Sequence, residues 1–195
     1  NKIIASLGTL ALAAYLIVSQ VSALSFTLGD GISSAGVAMV GMSLGADDPV
    51  RARRSVYVAR RLSVWLSLAL MLVIFALRRG LAGMFTRDDA VIAAASAGFL
   101  VALTAIMPQN GRVVYAGCLR GAGDVQYVAV TSLIGVSILR PLLTWLFCFP
   151  LSEVFPGLQL SATGPWFAFL LDALLRNDLL ARRVRGDAWT RVKLK

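Results

Sequence analysis

Residues Leu10–Leu44 read LALAAYLIVSQVSALSFTLGDGISSAGVAMVGMSL and carry a single charged side chain, Asp30. A helix that crosses a bilayer needs about 20 predominantly apolar residues, so this run decides the fold class. Wound as one helix at about 1.5 Å per residue it is about 50 Å long. It must therefore tilt, bend or project beyond the hydrocarbon. Gly29 and Gly31 flank Asp30 and predict a bend there.

Working outward, further apolar spans are predicted over 62–77, 90–107, 128–149 and 162–175. With 10–44 they make five, and the stretch before Leu10 reads as the end of a sixth. The third span meets Pro108, while Pro141 and Pro165 lie inside the last two. Prolines are tolerated in membrane helices when neighbouring helices re-satisfy the freed backbone groups. Composition agrees: 58% of residues are hydrophobic and 15% charged, with a mean hydropathy of +0.77. A soluble domain carries about 25% charged residues. Lys2, the apolar run after it and Val21-Ser22-Ala23 imitate a secretory leader, but the run exceeds the usual core of about 7–15 residues. A chain cut from a larger protein is the preferred reading.

The net charge of +9 is clustered rather than spread. Arg51, Arg53, Arg54, Arg60 and Arg61 follow the first span, and Arg112 and Arg120 follow the third. A basic tail over 176–195 follows the fifth. Alternate connections hold Arg78, Arg79 and Arg87, or no cation between Phe149 and Gly164. Positive charge marks the cytoplasmic side, which puts the carboxy terminus in the cytoplasm and Asn1 near the outer face. Arginines placed this way meet lipid headgroups, so nucleic acid is not an expected partner. The absence of histidine removes histidine-based catalysis and the common zinc sets, and Cys118 and Cys148 read as small buried hydrophobes. No nucleotide loop, acid–base pair or activated nucleophile can be assembled, so no enzyme activity and no cofactor are expected.

A few residues resist a purely structural account. Asp30 is either a proton- or cation-responsive carboxylate or an acid bonded to backbone freed at a helix break. Arg140, just before Pro141, either pairs with an acid or lines a water-filled cavity, or else snorkels or bonds carbonyls freed by the proline. Gln109, Asn110 and Tyr115, after the bend expected at Pro108, form a candidate polar cluster for a ligand. Asp172 and Arg176 read as an interfacial helix pair worth a few tenths of a kcal/mol. Gly41 and Gly45 form a pair of small residues four apart that permits close helix approach. Arg120-Gly121-Ala122-Gly123-Asp124 predicts a tight turn held by Arg120 and Asp124.

Taken in order and spacing, these strings resemble the multidrug and toxic compound extrusion (MATE) family, in its prokaryotic DNA-damage-inducible-like branch. The resemblance begins with Leu7-Gly8 and Ala11–Ala14. It continues through Gly31-Ile32-Ser33-Ser34-Ala35, Val40–Ala46, Pro108-Gln109-Asn110-Gly111, Gly117–Asp124 and Arg140-Pro141. It closes with Gly164-Pro165-Trp166, Asp172, Arg176 and Gly186-Asp187-Ala188-Trp189.

The resemblance implies an all-α integral membrane protein: over 1–195, the second six-helix lobe of a twelve-helix antiporter, whose partner is the amino-terminal lobe. Such an antiporter exchanges organic cations or drugs for protons or sodium ions across the cytoplasmic membrane, with no cofactor beyond the coupling ion. Some sodium-coupled members carry an acid eight residues before the glycine matching Gly117. Here that position is Gln109, which cannot ionise and which favours proton coupling through the missing lobe. Asp30 sits where the family seldom places its principal coupling acid. A lipid-linked sugar flippase of the same architecture and a non-transporting membrane scaffold are the alternative readings.

Overall fold

The computed structural model describes residues 9–148, 160–186 and 188–191, and these are all-helical. Helix α1 is Thr9–Gly45, α2 is Pro49–Gly83 and α3 is Asp89–Gly121. Helix α4, Val125–Ile134, passes through a π-helical segment, Gly135–Leu139, into α5, Arg140–Cys148. Helix α6 is Leu160–Arg185, followed by a 3-10 turn over Ala188–Arg191. Three stretches are long and apolar enough to cross a membrane: Leu12–Gly45, Pro49–Gly83 and Val125–Phe147. The pair Asp89–Leu100 and Ala102–Gly121, inclined at 45°, adds a fourth if counted as one span.

Three expectations are corrected. Helix α1 runs through Gly29-Asp30-Gly31 without interruption, because glycine keeps its helical hydrogen bond and only lowers propensity. Likewise α3 continues through Pro108 to Gly121 instead of ending there, and its bend falls near Leu100. The predicted fifth span and the first part of the basic tail are one helix, and that helix is not among those apolar enough to cross on their own. The end of the predicted fourth span and the connection over 149–159 lie outside the described residues.

The helix ends follow local chemistry. Asp48 caps α2, its carboxylate accepting the Arg51 N–H at 2.8 Å, with Pro49 in the first turn where no N–H is needed. Asp88 caps α3 through the Ala90 N–H at 2.9 Å. Helix α3 ends in a Schellman turn: the Asp124 N–H reaches the Leu119 carbonyl and the Gly123 N–H that of Arg120, with Gly123 at φ 84°. The same pair of bonds closes α1, from Asp48 to Ser43 and from Asp47 to Leu44. There Asp47, not glycine, occupies the left-handed position at φ 54°.

Helix α3 is the centre of the bundle, packed against α1, α2 and α6. Its seam with α1 is close because side chains are missing at the crossing. A β-carbon on Gly117 would lie 2.8 Å from the Ser33 carbonyl oxygen, and one on Gly36 would lie 2.9 Å from Cys118 Sγ. In lipid such fit supplies the packing energy that hydrophobic burial supplies in water. Of the predicted small pair, Gly41 approaches the Gly121 carbonyl (3.3 Å for a β-carbon), whereas Gly45 faces open space.

The core divides into two apolar clusters. One joins Val18, Ile74, Phe99 and Ile106; the other joins Val40, Val56, Leu119, Leu180 and Trp189. Along every helix that contributes to both, polar residues lie between them. The exposed face of α2 is apolar, with Trp65, Leu68, Leu72 and Phe75, and that of α4–α5 carries Leu133, Ile138, Leu142 and Trp145. Those are the faces that hydrocarbon accepts.

Candidate functional site

The layer between the two clusters is built from Ser33 of α1, Ser63 and Ser67 of α2, Gln109 and Asn110 of α3, and Asp172 and Arg176 of α6, all buried. Ser33 Oγ donates to the Val113 carbonyl at 3.0 Å, and Asn110 Nδ2 donates to Ser67 Oγ at 3.1 Å. Gly29 is what lets Asn110 in: a β-carbon there would lie 2.6 Å from Asn110 Oδ1.

Asp172, with no exposed surface, is the charged centre of this layer. One of its oxygens, Oδ2, accepts Arg140 Nη2 at 2.9 Å and Nε at 3.3 Å, and also accepts the Arg176 guanidinium four residues on. This corrects the interfacial reading of Asp172 and Arg176: the pair is buried and shared with a third charge. Arg140 therefore pairs with an acid. Its guanidinium also lies 4.8 Å over the Phe169 ring, and Phe169 packs on Phe26 at 5.7 Å. The π segment immediately precedes Arg140, and its Gly135 faces the same knot, leaving no room for a side chain beside Arg176 and Asp172. Segments of this kind recur at functional sites.

Arg112 extends the knot toward α1. Its Nε donates to Gln109 Oε1 at 3.1 Å, and Arg176, Asp172, Arg140 and Asp30 all lie within its electrostatic reach. Asp30 itself is exposed, on a face of α1 that also presents Thr27, Gly31 and Ser34. Among the described residues no break exists for it to cap. A charge facing hydrocarbon at mid-helix costs about 2.5–3.5 kcal/mol, so this face suits water or protein rather than lipid.

Gln109, Asn110 and Tyr115 do not form one cluster. Gln109 serves Arg112 and Asn110 serves Ser67, while Tyr115 packs under Arg60, 5.4 Å from guanidinium carbon to ring centroid. On α3, residues 109, 110 and 115 are turned to different neighbours. Gly111 admits both Arg60 and Asn177, each of which would lie 2.6 Å from a β-carbon there. Arg60 Nη1, Ser63 Oγ, Asn110 Oδ1 and Asn177 Oδ1 are buried with no hydrogen-bond partner among the described residues. Groups like these are ordinarily satisfied by ordered water.

At the end of the bundle, Gly121 passes over the Val37 backbone and Asp124 binds Arg183 Nε at 2.7 Å. That bond raises the Arg183 pKa above its ordinary value. Arg120, expected to hold the turn, is exposed and contributes its carbonyl, so Asp124 does this with Arg183 instead.

The sequence left Arg140 open between pairing with an acid, lining a cavity, snorkelling and bonding carbonyls freed by Pro141, and it did not single out Asp172; it treated Arg112 and Arg60 only as markers of orientation. The available signal was an acid and a base four apart in an apolar stretch, opposite a lone mid-span arginine.

The MatE family model matches residues 1–146. A probable multidrug resistance protein NorM of Caulobacter vibrioides is 29% identical over 189 residues, covering 97% of this chain and 39% of that protein. Its namesake in Rhizobium meliloti is 31% identical over 195 residues, covering 95% and 40%. Human multidrug and toxin extrusion protein 2 is 32% identical over 128 residues, covering 66% and 21%. The chain thus spans about two fifths of the length of its bacterial relatives. With its long apolar helices and this match, the chain is a multi-pass membrane protein belonging to the MatE family.

Proposed function

We propose that the chain forms the second lobe of a twelve-helix secondary transporter that expels organic cations and drugs in exchange for protons or sodium ions. The first lobe of the same protein packs against it, and the two rock around a central cavity by alternating access. Cation and drug favour different states, so coupling is a difference of affinities. The protein resides in the cytoplasmic membrane with its carboxy terminus in the cytoplasm, and it works without catalytic chemistry.

The observation that carries this reading is the exposed polar face of α1, with Thr27, Asp30, Gly31 and Ser34, in a bundle whose α2 and α4–α5 faces are apolar. A face of that kind suits the wall of a polar passage between lobes. The bacterial relatives are named as probable multidrug resistance proteins, which supports the substrate class. Gln109 is a neutral amide engaged with Arg112, which favours a coupling acid elsewhere in the complete protein.

The test is ethidium efflux from cells expressing the complete parent protein, with a proton or a sodium gradient imposed separately. Efflux driven by either gradient supports the transporter; protons alone agree with the neutral Gln109, and sodium-driven efflux would show that the sodium site lies elsewhere in the complete protein. No efflux under either gradient, with normal membrane expression, overturns it in favour of a lipid-linked sugar flippase or a scaffold.

A further inference from the structure

We propose that the groove where the end of α1 meets the start of α2 binds one anionic phospholipid. Two adjoining cavities there, of about 530 and 230 Å³, share Met39, Arg51 and Ser55. The larger is within the range of small-molecule sites, about 300–1,000 Å³. Arg51 and Arg54 supply its positive charge, and Val50 and Val58 an apolar wall. The site rests on the membrane class of the chain and on no reading of what it transports.

What the groove lacks is an anion. Residues 47–61 hold five arginines and two acids, Asp47 and Asp48. Asp48 also lines the groove, but its carboxylate accepts the Arg51 backbone N–H as the cap of α2. Arg51 and Arg54 are exposed, and neither has an ion-pair partner among the described residues. Three positions apart on a helix, the two are neighbours of like charge and repel. They also lie in the first two turns of α2, where the macrodipole disfavours cations and the first turn holds no acid. A phosphate between the two guanidiniums relieves both penalties, and the planar fork of arginine donors suits its oxygens.

The same face of α2 distinguishes a lipid phosphate from a free one. Beyond Arg51 and Arg54 the exposed positions at one-turn steps are Val58, Leu62, Trp65, Leu68 and Leu72, so the charged end runs into an apolar stripe. From Arg54 to Val58 is about 6 Å along the helix, about the depth of one headgroup layer. From Val58 to Leu68 is about 15 Å, one leaflet of hydrocarbon. Tyr57, exposed between the two, stands at the level where aromatic side chains collect. Arg61, exposed beside the stripe, leans toward the helix N-terminus as helical side chains do, which carries its charge to the headgroup layer. A soluble phosphate engages the arginines alone. A phospholipid engages the arginines, the cavity and the stripe together.

Native mass spectrometry of the complete parent protein, purified in mild detergent and offered palmitoyl-oleoyl phosphatidylglycerol or phosphatidylcholine, tests the site. The wild type is expected to retain one phosphatidylglycerol at least about fivefold better than phosphatidylcholine. Arg51→Gln combined with Arg54→Gln should abolish that preference at an unchanged melting temperature, because both side chains are exposed. Arg120→Gln, at another exposed arginine, should leave it intact. Val58→Trp, which fills the cavity and keeps both arginines, should lower phosphatidylglycerol retention by about fivefold or more. Equal retention of the two lipids by the wild type overturns the proposal, and so does a double variant that keeps the preference. No retained lipid in the wild type overturns it in favour of a groove covered by the rest of the protein. Displacement of phosphatidylglycerol by an equal concentration of glycerol phosphate also overturns it, since that marks a site for free anions.

Discussion

Arg183, in the last turn of α6, binds Asp124, the first residue after the turn that ends α3, at 2.7 Å. The contact is framed by Tyr127, whose ring lies 4.9 Å from the Arg183 guanidinium carbon and whose hydroxyl donates to the Leu179 carbonyl. Asp124 is buried and Arg183 is partly exposed. Asp124→Asn is therefore expected to cost about 1–2 kcal/mol, less than a buried ion pair and more than a surface one. Melting of the purified parent protein checks this, and an unchanged midpoint would show that the bond contributes nothing.

The buried knot should behave differently. Asp172→Asn leaves two guanidiniums without their shared counter-charge, and loss of one partner of a buried pair costs about 3–5 kcal/mol. Removing Arg140 as well, as Gln, should recover part of that loss because one orphaned charge is gone. A double-mutant cycle on melting temperature measures the coupling, and simple additivity would sink the assignment.

Glycine substitutions separate close crossings from open positions. Gly117→Ala presses on the Ser33 backbone and should destabilise by about 1–3 kcal/mol. Gly31→Ala meets nothing within 4 Å and should be neutral or stabilising by up to about 1 kcal/mol. Thermal denaturation of the two variants side by side should rank them in that order.

Asp30 lies exposed in an unbroken helix, so Asp30→Asn should leave stability within about 0.5 kcal/mol. If the face lines a passage, ethidium efflux by the complete protein should nevertheless fall. Normal efflux at normal expression would remove Asp30 from the functional face.

Asp47 holds a left-handed conformation that costs a non-glycine residue about 1–2 kcal/mol. Asp47→Gly should relieve that strain and raise stability by up to about 1 kcal/mol, the rest being offset because glycine has more entropy to lose from the unfolded chain. A lower melting temperature would mean that the Asp47 side chain supports the turn.

What the sequence made legible was local or compositional. The apolar runs gave the membrane class, and Gly123 gave the turn after α3, because a left-handed residue at a helix end is a requirement of the backbone alone. Breaks read from Gly29, Gly31 and Pro108 were wrong because glycine keeps its helical hydrogen bond, and because the backbone groups that a proline frees are re-satisfied when neighbouring helices pack around it. The partner of Arg140 was not legible because Asp172 lies on another helix, 32 positions away, and only packing brings it near. Asn110 and Ser67 found each other in the same non-local way.

The sharing of Asp172 between Arg140 and Arg176 also bears on how the chain enters the bilayer. Helix α6 alone carries an acid and a base at mid-length, and each charged residue at a helix centre adds about 2.5–3.5 kcal/mol to the cost of partitioning into lipid. Helix α5 brings another in Arg140. The acid and base of α6 offset each other within that helix, whereas Arg140 finds its counter-charge only across the helix boundary, so α5 enters hydrocarbon at lower cost with α6 alongside it than alone.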